Sequence, residues 1–325
     1  MIHIPMRRLQ ALILLALVLL AGCSRQSIYD TALAYERGAA DLEEARLQIA
    51  DLSISYLRNQ PVPGAETLVM LHGFGANKDN WLRMARHLTG DYNVYAFDLP
   101  GHGDSSKPLD IGYSIADQVG YVHAMLNELG LDRFHMMGNS MGGAITALYA
   151  ATYPDRIRTA VLFDPAGVFE YDSELVTRVM NGDNPLIVKQ AGDFERLVDF
   201  ALEKKPFVPW PIYSVMEDQA IANRAVNERI FAAIRDSGYQ PGFRDALEQI
   251  TAPVLVVWGR QDRITDYRNG AIFIERIPNA RLELLEGVGH APMVEVPEHS
   301  ATLVRELIES PFRPTQATRS GGNRP

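Results

Sequence analysis

The sequence predicts an α/β protein: a mostly parallel central sheet with helices on both faces and a helical cap inserted late in the chain. Three observations predict it. Short apolar runs bounded by Gly, Pro and Asp alternate with longer stretches of helical apolar spacing, and parallel strands need such helical crossovers. The run Phe134-His135-Met136-Met137 passes through Gly138-Asn139-Ser140-Met141-Gly142-Gly143 into an Ala-rich helix at 141–153, so a strand, a tight turn and a helix follow one another directly. Finally, Ser140, Asp262 and His290 each fall just past the C-terminal end of an apolar run, the edge where open α/β sheets bind ligands.

Taken in order, residues 1–23 stand apart. Arg7 and Arg8 precede an apolar run at 9–21 that ends in Leu20-Ala21-Gly22-Cys23, the pattern of an export signal. The run is shorter than the ~20 apolar residues of a full span. Three readings remain open: cleavage just before Cys23 that makes it the new N-terminus, which is preferred, an ordinary cleaved signal in which Cys23 is incidental, and an uncleaved membrane helix running on past Ser24. In each, the arginines stay cytoplasmic and the rest of the chain is exported. Residues 24–50 are expected to form a juxtamembrane helix. Ile28, Ala32, Tyr35, Ala39, Leu42 and Ile49 make a narrow apolar seam, broken at Arg46, that suits packing on the main domain or pairing with a second copy.

The main domain is expected over residues 51–310. Strands are predicted at 52–57, 68–71, 93–97, 134–137, 159–163, 253–258 and 282–285, with an amphipathic helix at 114–129. Residues 168–249 interrupt the alternation with mostly helical pattern and carry Pro206-Phe207-Val208-Pro209-Trp210-Pro211; an insertion after one strand reads as a cap over the strand ends. The tail 311–325, with Pro311, Pro314, Gly321, Gly322 and Pro325 among polar residues, is expected to be disordered.

Composition excludes several function classes. The 325 residues are 47% hydrophobic and 22% charged, an ordinary globular balance. A net charge of -9 without a basic stripe beside aromatics excludes a nucleic-acid partner. The single cysteine permits no intrachain disulfide, and no Cys/His cluster has metal spacing, so neither a metal nor a cofactor is expected.

The chemistry-bearing residues form a pattern. In Gly138-x-Ser140-x-Gly142 the glycines relieve the crowding of a serine on a sharp turn, which lifts its hydroxyl toward a helix N-terminus. The backbone N–H of Met141 is then free to bind an oxyanion. His290, in Gly287-Val288-Gly289-His290, is the candidate base. The candidate acid is Asp262, in Trp258-Gly259-Arg260-Gln261-Asp262; Asp164, which also follows a strand, is its competitor. His72 and His102 sit in Gly-rich loops and are read as holding loop geometry. In His72-Gly73-Phe74-Gly75 the Phe74 N–H is the candidate second oxyanion donor.

From 52 to 308 the chain resembles the α/β-hydrolase superfamily. The resemblance rests on His72-Gly73-Phe74-Gly75, Asp98-Leu99-Pro100-Gly101-His102-Gly103-Asp104-Ser105, Gly138-Asn139-Ser140-Met141-Gly142-Gly143, the strand ending at Asp262, and His290. Within that superfamily it is similar to bacterial membrane-anchored lipases and phospholipases A. The similarity implies a serine hydrolase of acyl esters, acting on glycerides or phospholipids, held to the envelope by its N-terminus and able to pair with a second copy. Gly-Asn-Ser-Met-Gly-Gly also occurs in C–C bond hydrolases of the meta-cleavage type, which is the alternative enzyme reading. A non-catalytic envelope interaction protein on the same fold is the third. The lone cysteine after small residues resembles the lipobox of bacterial lipoproteins, which implies lipidation of Cys23.

Overall fold

The computed structural model describes residues 25–238 and 242–310, with the side chains of 236–238 set aside. The export signal, Cys23 and the tail 311–325 lie outside the described residues.

Helix α1 (Arg25–Ala39) leads into a hairpin, β1 (Glu43–Ile49) and β2 (Leu52–Arg58). Then come β3 (Thr67–Leu71), the short helix α2 (Leu82–Ala85), β4 (Asn93–Phe97), α3 (Ile115–Glu128), β5 (Phe134–Asn139), α4 (Met141–Thr152) and β6 (Ile157–Phe163). Five helices follow without a strand: α5 (Glu174–Met180), α6 (Asp193–Ala201), α7 (Trp210–Ala222), α8 (Arg224–Gly238) and α9 (Gly242–Leu247). The chain closes with β7 (Val254–Gly259), α10 (Gly270–Arg276), β8 (Ala280–Leu285), α11 (Pro292–Glu295) and α12 (Pro297–Glu309).

One 8-stranded sheet collects all the strands in the order β1-β2-β4-β3-β5-β6-β7-β8. The pairs β1/β2 and β2/β4 are antiparallel, and every pair from β4 onward is parallel. Strands β5 and β7 are buried along their whole length, which is why they read as continuous apolar runs. Each face has its own core. On one, α3 and α4 pack Val122, Met125, Ile145 and Tyr149 against Val69, Phe134 and Met136. On the other, Trp81, Met84, Val304 and Leu307 cover Met70, Met137 and Val257. Helix α3 begins with a reciprocal cap: the Ser114 hydroxyl accepts from Asp117 N–H and the Asp117 carboxylate accepts from Ser114 N–H.

The expectation of one helix over residues 24–50 is corrected. The helix stops at Ala39, the chain turns through Asp41 at φ 51°, and residues 43–49 are the outermost strand of the sheet. The local period is two: Ala45, Leu47 and Ile49 face inward while Glu44, Arg46 and Gln48 face solvent. Arg46, which broke the helical seam, stands on the outward face of a strand. Helix α1 is moored by Arg37, whose guanidinium pairs with Asp79 and Glu44, both at 2.7 Å.

Within the stretch read as a cap, α9 behaves differently from the helices before it: Phe243 and Leu247 are buried in the main core. Farther out, Leu175, Phe200 and Ile264 form a small cluster that joins α5 and α6 to the loop after β7. Among the described residues, no helix is long and apolar enough to cross a membrane.

Candidate active site

Strand β5 hands over to α4 at Ser140, which has φ 54° and ψ −115°. That left-handed backbone is strained for a residue with a Cβ. It is held by three hydrogen bonds: Ser140 N–H donates to the Phe163 carbonyl (2.9 Å), and the Ser140 carbonyl accepts from Ala144 and Ala166 N–H (both 3.0 Å). The glycines answer to close approach rather than to a positive φ. A Cβ on Gly138 would stand 2.0 Å from the Gly142 carbonyl oxygen, and one on Gly142 would stand 2.1 Å from that of Leu71.

His290 and Asp262 meet. His290 Nδ1–H donates to Asp262 Oδ2 at 2.8 Å, which leaves Nε2 as the ring nitrogen open to a serine proton. Asp262 is saturated on both oxygens. Its Oδ1 accepts from Ile264 N–H (2.7 Å) and Thr265 N–H (3.1 Å), and its Oδ2 also accepts from the Thr265 hydroxyl (2.6 Å). This pair is moored to the strand that ends at Ser140 by Asn139, whose side-chain amide donates to the His290 carbonyl at 2.9 Å. From the other side, His290 N–H donates to the Ala201 carbonyl at 2.8 Å.

Asp164, the competing carboxylate, is fully buried and has φ 45°. Its Oδ1 accepts from Gly259 N–H at 2.8 Å, and its Oδ2 has no hydrogen-bond partner. Burial first, and then the neighbouring Asp262 charge, pushes its carboxyl well above the ordinary range, so the neutral acid is favoured. Asp164, Asp262 and His290 bring ligand atoms within 4.8 Å of one another, the spacing a metal shell would need. The donor chemistry does not suit a cation: His290 Nδ1 carries the proton shared with Asp262, Asp262 Oδ2 is occupied by two donors, and Asp164 favours its protonated form.

The loop after β3 lies against Ser140: a Cβ on Gly73 would stand 3.2 Å from Ser140 Cβ. Phe74 follows, so its N–H and that of Met141, the first residue of α4, are the candidate oxyanion donors at one site. His72 holds this loop. Its Nδ1–H donates to the Gly73 carbonyl (2.7 Å) and its Nε2 accepts from Leu99 N–H (3.1 Å), a neutral tautomer. Burial lowers its pKa to about 4. His102 packs edge-on at 4.9 Å from the His72 ring and is likewise pushed well down by burial.

Four supporting residues have roles that the sequence does not reveal. Asn139 sits inside the motif but reads there as a spacer. Thr265 lies three positions after Asp262, a spacing that in hindsight marks a turn closed on the carboxylate. Lys78 and Asp98 are both fully buried; Lys78 Nζ donates to Asp98 Oδ2 and its backbone N–H to Asp98 Oδ1, each at 2.7 Å, which ties the loop after β3 to the loop after β4. Gly103 is required beside them, because at φ 50° its Cβ would stand 2.1 Å from the Asp98 carboxylate carbon.

Over residues 66–297 the chain matches the family model described as the alpha/beta hydrolase fold. It is 36% identical over 273 residues to Lipase 1 of Psychrobacter immobilis, spanning 82% of this chain and 84% of that protein. It is 31% identical over 255 residues to monoacylglycerol lipase abhd6-B of Xenopus laevis, spanning 75% of each. The crystal structure of a membrane phospholipase A, a bacterial virulence factor, superposes with a TM-score of 0.86 at 38% identity, covering 94% of this chain and 98% of that one.

Proposed function

This chain belongs to the alpha/beta hydrolase fold family and is a hydrolase of the lipase/esterase type, and from that premise we propose that it cleaves acyl esters of glycerides or phospholipids through an acyl-enzyme on Ser140. The observation that carries the catalytic assignment is the His290–Asp262 pair, closed at 2.8 Å and moored through Asn139 to the strand that delivers Ser140.

His290 Nε2 takes the Ser140 proton as Oγ attacks the ester carbonyl. The oxyanion forms against the N–H groups of Phe74 and Met141, each worth ~3 kcal/mol in the transition state. The imidazolium gives its proton to the departing alcohol, leaving an acyl-serine. A water, deprotonated by His290, then releases the fatty acid. Asp262 keeps the proton on Nδ1 throughout and stabilises the charged ring. The lipid class of substrate is supported by the lipase and phospholipase relatives.

Purified full-length enzyme, offered monoacylglycerol, phospholipid and a dienoic diketo ring-fission product, is expected to release fatty acid from one or both lipids and to leave the third intact. Cleavage of the diketo acid alone would transfer the assignment to the C–C bond hydrolases.

The attachment to the envelope is part of the same proposal. Its support is the arginine pair, the apolar run and the cysteine after Leu20-Ala21-Gly22, together with the likeness to a membrane phospholipase A. A lipidated Cys23 would carry two acyl chains on a periplasmic enzyme, and one chain alone binds membranes marginally. In producing cells, wild-type protein is expected to take palmitate label and to stay with membranes through a high-salt wash; Cys23→Ala is expected to lose the label. Unlabelled wild-type protein that retains Met1 would replace the lipid anchor with an uncleaved helix. Pairing of two copies through α1 belongs to the same reading.

A further inference from the structure

One stripe of α7, with residues a turn apart, carries Trp210, Ser214 and Asp218. Arg25, the first described residue, lies on two of the three. Its guanidinium donates to Ser214 Oγ at 3.2 Å and pairs with Asp218 at 3.4 Å. The Arg25 guanidinium therefore lies about one helical turn, ~6 Å along α7, from Trp210. Trp210 is 71% exposed, and Phe207, three residues earlier, is 92% exposed. Pro206, Pro209 and Pro211 restrict the backbone around both rings, so the pair is presented at small entropic cost. Exposed Lys204 and Lys205 precede it.

The same segment is fastened to the active site. Ala201, at its start, accepts the His290 N–H, and the Glu295 carboxylate accepts from Glu203 N–H (2.9 Å), Lys204 N–H (2.8 Å) and Gly289 N–H (3.0 Å). A contact made at Phe207 and Trp210 is thus held at the rim of the histidine loop.

We propose that Phe207 and Trp210 form a second membrane contact, seated in the headgroup region of the bilayer that holds the N-terminus. The proposal rests on the membrane-anchor reading above. The occupant follows from the chain itself. Only Ser24 separates Cys23 from Arg25, and only three residues separate Ala21, the end of the apolar run, from it, a reach of at most ~7 Å or ~14 Å, so a bilayer anchored at either lies near Trp210. Two exposed aromatic rings suit the headgroup region, with Lys204 and the Asp199-paired Lys205 beside them.

The three tryptophans provide the test, because Trp81 and Trp258 are fully buried and Trp210 alone faces out. Full-length protein is reconstituted in phosphatidylcholine–phosphatidylglycerol vesicles and recovered by flotation. Its emission is then compared in vesicles with and without bromine on the upper acyl chain. The expected result is quenching by bromolipid that disappears in Trp210→Phe. In Phe207→Ser/Trp210→Ser, the ratio of vesicle-phospholipid to soluble short-chain ester turnover is expected to fall about tenfold. Protein that fails to float overturns both the anchor and this proposal. Floated protein whose emission ignores bromolipid overturns this proposal alone, as does Trp210 emission that responds to protein density instead of bromolipid, which would assign the tip to a second copy.

Discussion

Ser140→Ala is expected to fold as the parent does and to lose hydrolysis of p-nitrophenyl acyl esters, with kcat reduced on the order of 10⁶-fold. The reduction follows from the covalent route: without Oγ there is no acyl-enzyme, and only the oxyanion donors and substrate binding remain. Folding is preserved because the hydroxyl makes no capping bond; Ser140 is held by its backbone, through Phe163, Ala144 and Ala166. Alanine inherits the same φ of 54° and the same strain. Steady-state kinetics and a thermal melt on one preparation check both halves. Undiminished turnover removes Ser140 as the nucleophile.

Asp262→Asn is expected to lose about 10⁴ in kcat, while Asp164→Asn stays within about tenfold of the parent. An amide at 262 presents an N–H to His290 or an oxygen that no longer carries charge; the ring then loses the tautomer that leaves Nε2 open. At 164 the outcome differs because Asp164 favours the neutral acid, of which asparagine is the near isostere. Its oxygen can still accept the Gly259 N–H at the place of Oδ1. The pH dependence of stability separates the two carboxyls further. Asp164 has a folded pKa raised above the ordinary 3.8, so the unfolded chain releases that proton first. Stability from this group is full below the unfolded pKa and is lost as pH rises toward the folded one. Asp164→Asn abolishes that loss, and its gain in Tm over the parent is expected to grow as pH rises above the ordinary carboxyl range. A crippled Asp164→Asn beside an active Asp262→Asn would exchange the two roles.

The strands from β2 onward were legible because each is a continuous or alternating apolar stretch followed within a few residues by Gly, Pro or Asp, and these are short-range signals. β1 was not. Residues 43–49 carry only Ala45, Leu47 and Ile49 on the inner face, and residues 25–39 before them are helical. Over so few positions the apolar spacings of helix and strand overlap, and pairing with β2, register Ile49 to Leu52, decides for the strand. The same limit hid Asn139, Thr265 and the Lys78–Asp98 pair, whose partners lie on other loops.

By itself the sequence determined the α/β class, the strand–turn–helix at Ser140 and the order of the candidate acid and base, since glycine crowding, apolar periodicity and strand-end punctuation act between near neighbours in the chain. Only the tertiary structure decided which carboxylate touches His290, which one is left neutral beside it, and that α1 lies against α7 beside the exposed Phe207 and Trp210. Those outcomes depend on loops from β5, β6, β7 and β8 converging at one sheet edge, where burial sets the charge of Asp164 and hydrogen-bond geometry orients Asp262. Neither quantity exists until distant segments meet.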